Sequence, residues 1–245
     1  MVRVVSWNIQ HGGGSRKDAI VEALRSWSPD VVALSEFRGT SSSRQIHDFL
    51  RDQGLGFVHS TTDSDSPRKN RLLVASRWKL HVAPARGLLG ETGRWIDTTV
   101  QTRSPFKLIA MHVPNRASGE KYDFLAATVE ALDALSHEAA LAIGDANTGV
   151  PSVDEQVCFF NQREGDWFDK LRAVGWIDAY RRRNPKRREF TWYSRSNNGF
   201  RLDQVFATET MNPRIRRISY DWGCADGNDQ NEPSDHAAIL VDLDV

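Results

Sequence analysis

The stretch FKLIAMHVPNRASGEKYDFLAATVEALDALSHEAALAIGDAN (residues 106–147) decides the fold class. Its two short apolar runs, FKLIAM (106–111) and AALAIG (139–144), have the length and aliphatic content of buried strands. Between them, residues from about Glu120 to Ser136 read as a helix. Strand, helix and strand in succession mark a layered α/β domain rather than an all-α or all-β one. Each run also stops on a polar group, His112 after the first and Asp145 after the second.

Working outward, the same alternation recurs. VRVVSW (2–7) reads as a strand ending at Asn8, Lys17 to Trp27 as an amphipathic helix, and VVALS (31–35) as a strand ending at Glu36. A helix is expected from about Ser43 to Gln53, stopped by Gly54, with strands at RLLVAS (71–76) and TTVQT (98–102). Beyond Asp145 comes a loop-rich stretch, then a helix near Asp166 to Val174. Strands follow near Phe190–Tyr193, Leu202–Ala207 and Ile215–Ser219, and HAAILVDLDV (236–245) closes the chain. Nothing in the 245 residues reads as a linker or a repeat, so residues 1–245 are expected to form a single domain.

Lys plus Arg and Asp plus Glu balance at 32 each, which excludes a uniformly basic nucleic-acid coat and makes any electrostatic binding local. Six of the eight residues from Arg181 to Arg188 are basic, and this run is either a solvated loop or a phosphate contact. No apolar run approaches the roughly 20 residues that span a bilayer. MVRVVSWN carries no secretory signal pattern, so a cytoplasmic monomer without a membrane partner is expected. Two distant cysteines, Cys158 and Cys224, exclude a disulfide framework and a thiolate metal site.

The polar strand ends carry the chemistry. Asn8, Glu36, His112 and Asp145 each follow an apolar run, Asp203 sits just inside FRLDQVFA, and Asp235-His236 precede AAILV. Taken singly, each has an ordinary explanation: a turn, a cap, an Asx motif or an ion pair. Six along one chain point to a site at one sheet edge, where α/β enzymes gather reactive groups. Oxygen-rich donors without thiolates favour Mg²⁺, or Mn²⁺ in its place, over Zn²⁺, with Glu36 the first choice of ligand. Phosphodiester hydrolysis needs an activated water, a Lewis acid and stabilisation of the leaving alkoxide, and these residue types supply all three.

The motifs SWNI (Asn8), LSEF (Glu36), MHVPN (His112, Asn115), GDAN (Asp145, Asn147), FRLDQVFA (Asp203) and SDHAAI (Asp235, His236) stand in one order from end to end. In this the chain resembles the endonuclease/exonuclease/phosphatase superfamily, which includes exonuclease III, abasic-site endonucleases, deoxyribonuclease I and sphingomyelinases. The resemblance implies a deoxyribonuclease I-like four-layer α/β/β/α sandwich, with two packed mixed sheets flanked by helices. It implies DNA as substrate, cut at abasic sites or from 3′ ends, with a less selective DNase or RNase, or a phosphatase or phosphodiesterase acting on a small molecule or lipid, as the alternatives. It also implies Glu36, Asn8 and Asp235 as metal ligands. Asp145 would position or deprotonate the attacking water, and Asn147 would contact the scissile phosphate. His236, held by Asp235 or Asp203, would bind the phosphate oxygens. GWIDAYRRRNPKRREFTWYSRSNNGFRLDQVFAT (175–208) and Asn115 resemble the exonuclease III branch. That likeness makes Asn115, Trp192, Phe200, Arg201 and Arg182 candidate substrate contacts. His112 departs from that branch, which carries tyrosine there, and matches deoxyribonuclease I-like members, where it is a candidate acid for the leaving group.

Overall fold

The computed structural model describes residues 1–85, 87–224 and 232–245. Its elements run β1 (Val2–Asn8), α1 (Lys17–Trp27), β2 (Val31–Phe37), α2 (Ser41–Asp52), β3 (Phe57–Ser60), β4 (Arg71–Ser76), β5 (Leu80–Ala83), α3 (Gly87–Thr92), β6 (Trp95–Val100), β7 (Phe106–His112), α4 (Lys121–Asp133), β8 (Ala140–Asp145), α5 (Gln162–Ala173), β9 (Trp176–Asp178), α6 (Ala179–Arg183), β10 (Trp192–Tyr193), β11 (Gly199–Phe200), β12 (Asp203–Thr208), β13 (Ile215–Asp221) and β14 (Ala238–Leu243).

Two six-stranded mixed sheets form, in the orders β13-β14-β1-β2-β4-β3 and β5-β6-β7-β8-β12-β9. Each has one parallel pair near its middle, β1 with β2 and β7 with β8, among antiparallel neighbours. The inner faces share one core, in which Val4, Ala33 and Val241 of the first sheet meet Leu108, Ile143 and Val205 of the second. The opposite faces are covered by helices. Ile20, Leu24, Ile46 and Leu50 of α1 and α2 pack on the first sheet, and Phe124, Leu132, Trp167 and Leu171 of α4 and α5 on the second. The α/β/β/α sandwich follows from this alternation, because successive residues of the central strands point in turn to the common core and to a helix layer.

The parallel pairs position the site. A parallel pair carries its carboxyl ends to the same edge, which brings Asn8 beside Ser35 and puts His112 directly opposite Asp145. Strands β12 and β14 run antiparallel to β8 and β1, so their beginnings reach that edge: Asp203 pairs with Asp145, and His236 lies just before β14. Gly144 makes the β7–β8 approach possible, since a Cβ there would stand 1.9 Å from the Met111 carbonyl oxygen.

The elements that leave no pattern in the sequence are short. Edge strands β3 and β5 have four residues each and expose much of their surface, so they carry no apolar run. The basic segment begins as a helix rather than a loop, because the Asp178 side chain caps α6 by accepting from the Arg181 amide at 2.8 Å. No helix among the described residues is long and apolar enough to cross a membrane.

Candidate active site

Asp145 is the hub. It is 1% exposed, and its Oδ2 accepts from Asn8 Nδ2 at 3.0 Å and Asn147 Nδ2 at 3.3 Å, while Oδ1 accepts from the Asn147 amide at 2.8 Å. Around the same oxygen stand His112 Nε2 at 3.6 Å and His236 Nε2 at 4.0 Å. Burial pushes the Asp145 carboxyl up to about 7; the His236 charge pulls the other way and Asp203 adds to the rise.

His236 is bound through Nδ1 to Asp203 Oδ2 at 2.9 Å, and its backbone carbonyl accepts from Trp7 Nε1 at 2.8 Å. Burial alone would lower its pKa. Asp203 and then Asp145 outweigh that and raise it to about 10, so the imidazole is charged at neutral pH. Of the two partners open from sequence, the structure pairs His236 with Asp203, while Asp235 Oδ2 faces Trp192 Nε1 at 3.4 Å. Asp145, Asp203 and His236 bring donor atoms within 4.8 Å of one another. The imidazolium already neutralises one of those two carboxylates.

His112 is the opposite kind of histidine. Its Nδ1 receives the Arg94 guanidinium at 3.0 Å, and arginine only donates, so the ring proton belongs on Nε2, facing Asp145. Burial, followed by the charges of Arg94 and His236, holds it well below the ordinary histidine range. It is a neutral hydrogen-bond donor.

Glu36 lies at an irregularity in the β2–β4 register with φ of 57°, a left-handed conformation that a non-glycine residue adopts at a cost. That turn takes the side chain out of the sheet alternation, where Oε2 meets the His11 amide at 2.7 Å and His11 Nδ1 at 2.9 Å. Oε1 accepts from no described residue. Asn147 is also left-handed, at 48°, and its carbonyl is held at 2.7 Å by the buried Lys121 ammonium, itself paired with Glu164. Asn115 caps the short helical turn after it, accepting from the Ser118 amide at 3.2 Å.

Two cations here are silent in the sequence. Arg94 precedes β6, and the charges of Glu36 and Asp145 both act on it. Arg16 donates to the carbonyls of Pro233 at 2.7 Å and Gln10 at 2.6 Å, and lies in the field of Asp235 and Glu36. Neither sits in a basic cluster or motif. Their signal is register: Trp95 pairs with Met111, which sets Arg94 beside His112.

Three expected substrate contacts are corrected. Arg201 is fully buried and spends its guanidinium on Asp154 and Asp178, so it cannot reach a ligand. Phe200, 4% exposed, is packed among Phe159, Phe160 and Trp192 beneath the surface. Arg182 reaches Glu209, just past the end of β12 remote from Asp203, roughly 20 Å away at about 3.3 Å per strand residue. The phosphate-contact reading of the 181–188 run loses four further members. Arg181 pairs with Asp154, Arg183 bonds Asn212, Arg187 pairs with Glu189, and Arg188 donates to the Glu155 carbonyl. Trp192 remains half-buried at the site, its ring 6.4 Å from that of His236.

A sequence model described as the endonuclease/exonuclease/phosphatase family matches residues 5–236. Among solved structures, the chain is similar to an AP endonuclease from Archaeoglobus fulgidus at 19% identity and a TM-score of 0.82, with 100% of both chains covered. It is similar to the 3′ phosphatase NExo from Neisseria bound to a product DNA hairpin at 18% identity and 0.81, again over 100% of both chains. The 3′-5′ exonuclease NExo from Neisseria meningitidis matches at 19% identity and 0.79, over 99% of this chain and 100% of that one. At such identities the likeness is one of fold.

Proposed function

The chain belongs to the endonuclease/exonuclease/phosphatase family, and on that premise we propose that it is a divalent-metal-dependent phosphodiesterase cutting the DNA backbone as an abasic-site endonuclease, a 3′-5′ exonuclease or both. One observation carries the reading: a buried carboxylate, Asp145, held by two asparagines and facing a histidine that Asp203 keeps charged. In this reading the negative phosphate sits against the His236 imidazolium and the Arg94 guanidinium, with the Asn147 amide beside them. The ionised Asp145 takes the proton of a water whose oxygen attacks phosphorus, and the bond to the departing oxygen breaks as charge builds on it. His112 offers its Nε2 proton as a neutral hydrogen bond rather than as a strong acid.

The donor set fits a hard cation. Glu36 and Asp235 offer carboxylate oxygens, Asn8 an amide oxygen, and Glu36 Oε1 is free of protein donors among the described residues. When bound, Mg²⁺ or Mn²⁺ would polarise the phosphate and lower the pKa of water. DNA as the substrate is supported by the activities of the structural relatives. Residues 1–245 are read as one catalytic domain, supported by the span of the family match and the core shared by both sheets, and a cytoplasmic monomer is part of the same proposal.

The test is cleavage of a labelled duplex with one abasic-site analogue beside an intact duplex and a 3′-recessed end, in Mg²⁺ and in EDTA, for wild type and Asp145→Ala. Metal-dependent cutting 5′ to the lesion or from the 3′ end, lost in the variant, is expected. Turnover of a small phosphodiester with every DNA intact would overturn the DNA assignment.

A further inference from the structure

Beside the site lies an exposed aromatic ring that the proposed chemistry does not use. Phe159 is 53% exposed, in a loop that also exposes Val157. A single exposed phenylalanine needs no explanation. This one is fixed from three sides. The buried Glu155 carboxylate accepts from the Phe159 and Phe160 amides at 2.7 and 2.6 Å. Arg116 donates to the Phe159 carbonyl at 2.9 Å and lays its guanidinium 4.6 Å from the ring centroid. Glu164, buried in the capping box of α5, anchors that guanidinium in turn. An apolar ring held rigidly in solvent is a surface whose ordering cost is already met before anything binds.

The ring is also continuous with the catalytic groups. Phe159 meets Phe200 edge-on at 5.4 Å, Phe200 meets Trp192 at 5.9 Å, and Trp192 meets His236 at 6.4 Å. The backbone runs the same way: Glu155 bridges to Phe200, β11 pairs with β10, and Trp192 bridges to His236. Phe200 is covered, so the row offers solvent two faces, half-buried Trp192 at the catalytic end and Phe159 at the other. An exposed ring with a guanidinium beside it, Phe159 with Arg116, matches an unstacked base rather than a paired duplex, whose base faces are covered.

Resting on the nuclease reading, we propose that Phe159 and Arg116 form a stacking platform for an unpaired nucleobase a few nucleotides along the cleaved strand. The site thereby favours single-stranded or frayed ends over closed duplex flanks.

The experiment uses single-stranded oligonucleotides in EDTA, each with 2-aminopurine at one successive position, and reads fluorescence quenching on binding. Quenching at one position is expected, lost in Phe159→Ala and restored in Phe159→Trp. Replacing that base with an abasic spacer should weaken wild-type binding about 5- to 150-fold and leave Phe159→Ala binding unchanged. Retained quenching in Phe159→Ala, or equal weakening of both proteins by the spacer, would overturn the platform. Absence of any single-strand binding by wild type overturns the platform and leaves the nuclease to the duplex assay. Binding with the expected pattern but no cleavage of single strand or duplex after Mg²⁺ addition overturns only the nuclease.

Discussion

Arg201 and Asp203 are two residues apart, yet they belong to two buried charge clusters of opposite character. Around Arg201, Nε and Nη2 hold Asp154 at 2.8 and 3.0 Å, Nη2 also holds Asp178 at 2.5 Å, and Nη1 faces the Tyr220 hydroxyl at 3.4 Å. The guanidinium is exhausted. Around Asp203, one imidazolium meets two carboxylates, Asp235 acts on the same imidazolium, and Glu36 and Asp145 act on Arg94. A buried ion cluster stabilises when each charge is paired and fully hydrogen-bonded, whereas a reactive one keeps unspent capacity toward the cleft. Residue type does not separate the two; saturation does.

The largest expected effect breaks the open cluster. Asp145→Asn should reduce DNA cleavage by about 10³-fold or more. Its melting temperature should hold or rise, because the variant no longer buries a charge beside Asp203; a cleavage assay and a thermal melt together check both halves. Arg201→Met attacks the closed cluster, stranding Asp178 without its cation and leaving Asp154 with Arg181 alone. Denaturant titration should show a loss of about 3–5 kcal/mol, while activity per folded molecule falls less than tenfold. An activity loss equal to that of Asp145→Asn at full stability would abolish the distinction.

Arg94→Gln should lower kcat/KM on DNA by about 10²-fold, as removal of one preorganised donor does, with the fold intact by circular dichroism. The pH dependence of stability in EDTA sharpens the contrast further. His236 has a folded pKa of about 10 against 6.5 unfolded. Its stabilisation is therefore complete below 6.5 and is lost as pH rises through 10. Asp145, raised to about 7 from 3.8, binds its proton more tightly when folded, so its contribution also declines as pH rises, between about 4 and 7. Melting temperature should fall across both windows, with Asp203→Asn flattening the upper one and Asp145→Asn the lower. The smallest effect belongs to Arg182→Ala, remote from the site, which should change DNA affinity and cleavage by less than about twofold.

The elements carrying an apolar run are legible from the residues alone: β1, β2, β4, β7 and β8 match the expected strands within a residue or two. Strands such as β3, β5 and β9 are not, since strands of three or four residues have too few buried positions to leave a period. At the site, the polar ends of buried strands announce Asn8, Glu36, His112, Asp145 and Asp203, because a charge at the end of a core strand has to be either solvated or used. Arg94, Arg16 and Lys121 announce nothing. Their neighbours in sequence are ordinary, and Arg94, Lys121 and Arg16 have partners 18, 26 and 217 residues away.

What the chain determined by itself, then, is the layered α/β architecture and the identity of the groups at one sheet edge, since both follow from local patterns of burial and polarity. What only the tertiary structure decided is which charges meet. Arg181, Arg183, Arg187 and Arg188 of the tightest basic run are spent on Asp154, Asn212, Glu189 and a backbone carbonyl, while two solitary arginines lie in the field of the site's carboxylates. The physical reason is that electrostatic work depends on distance and burial in the folded molecule, not on spacing along the chain.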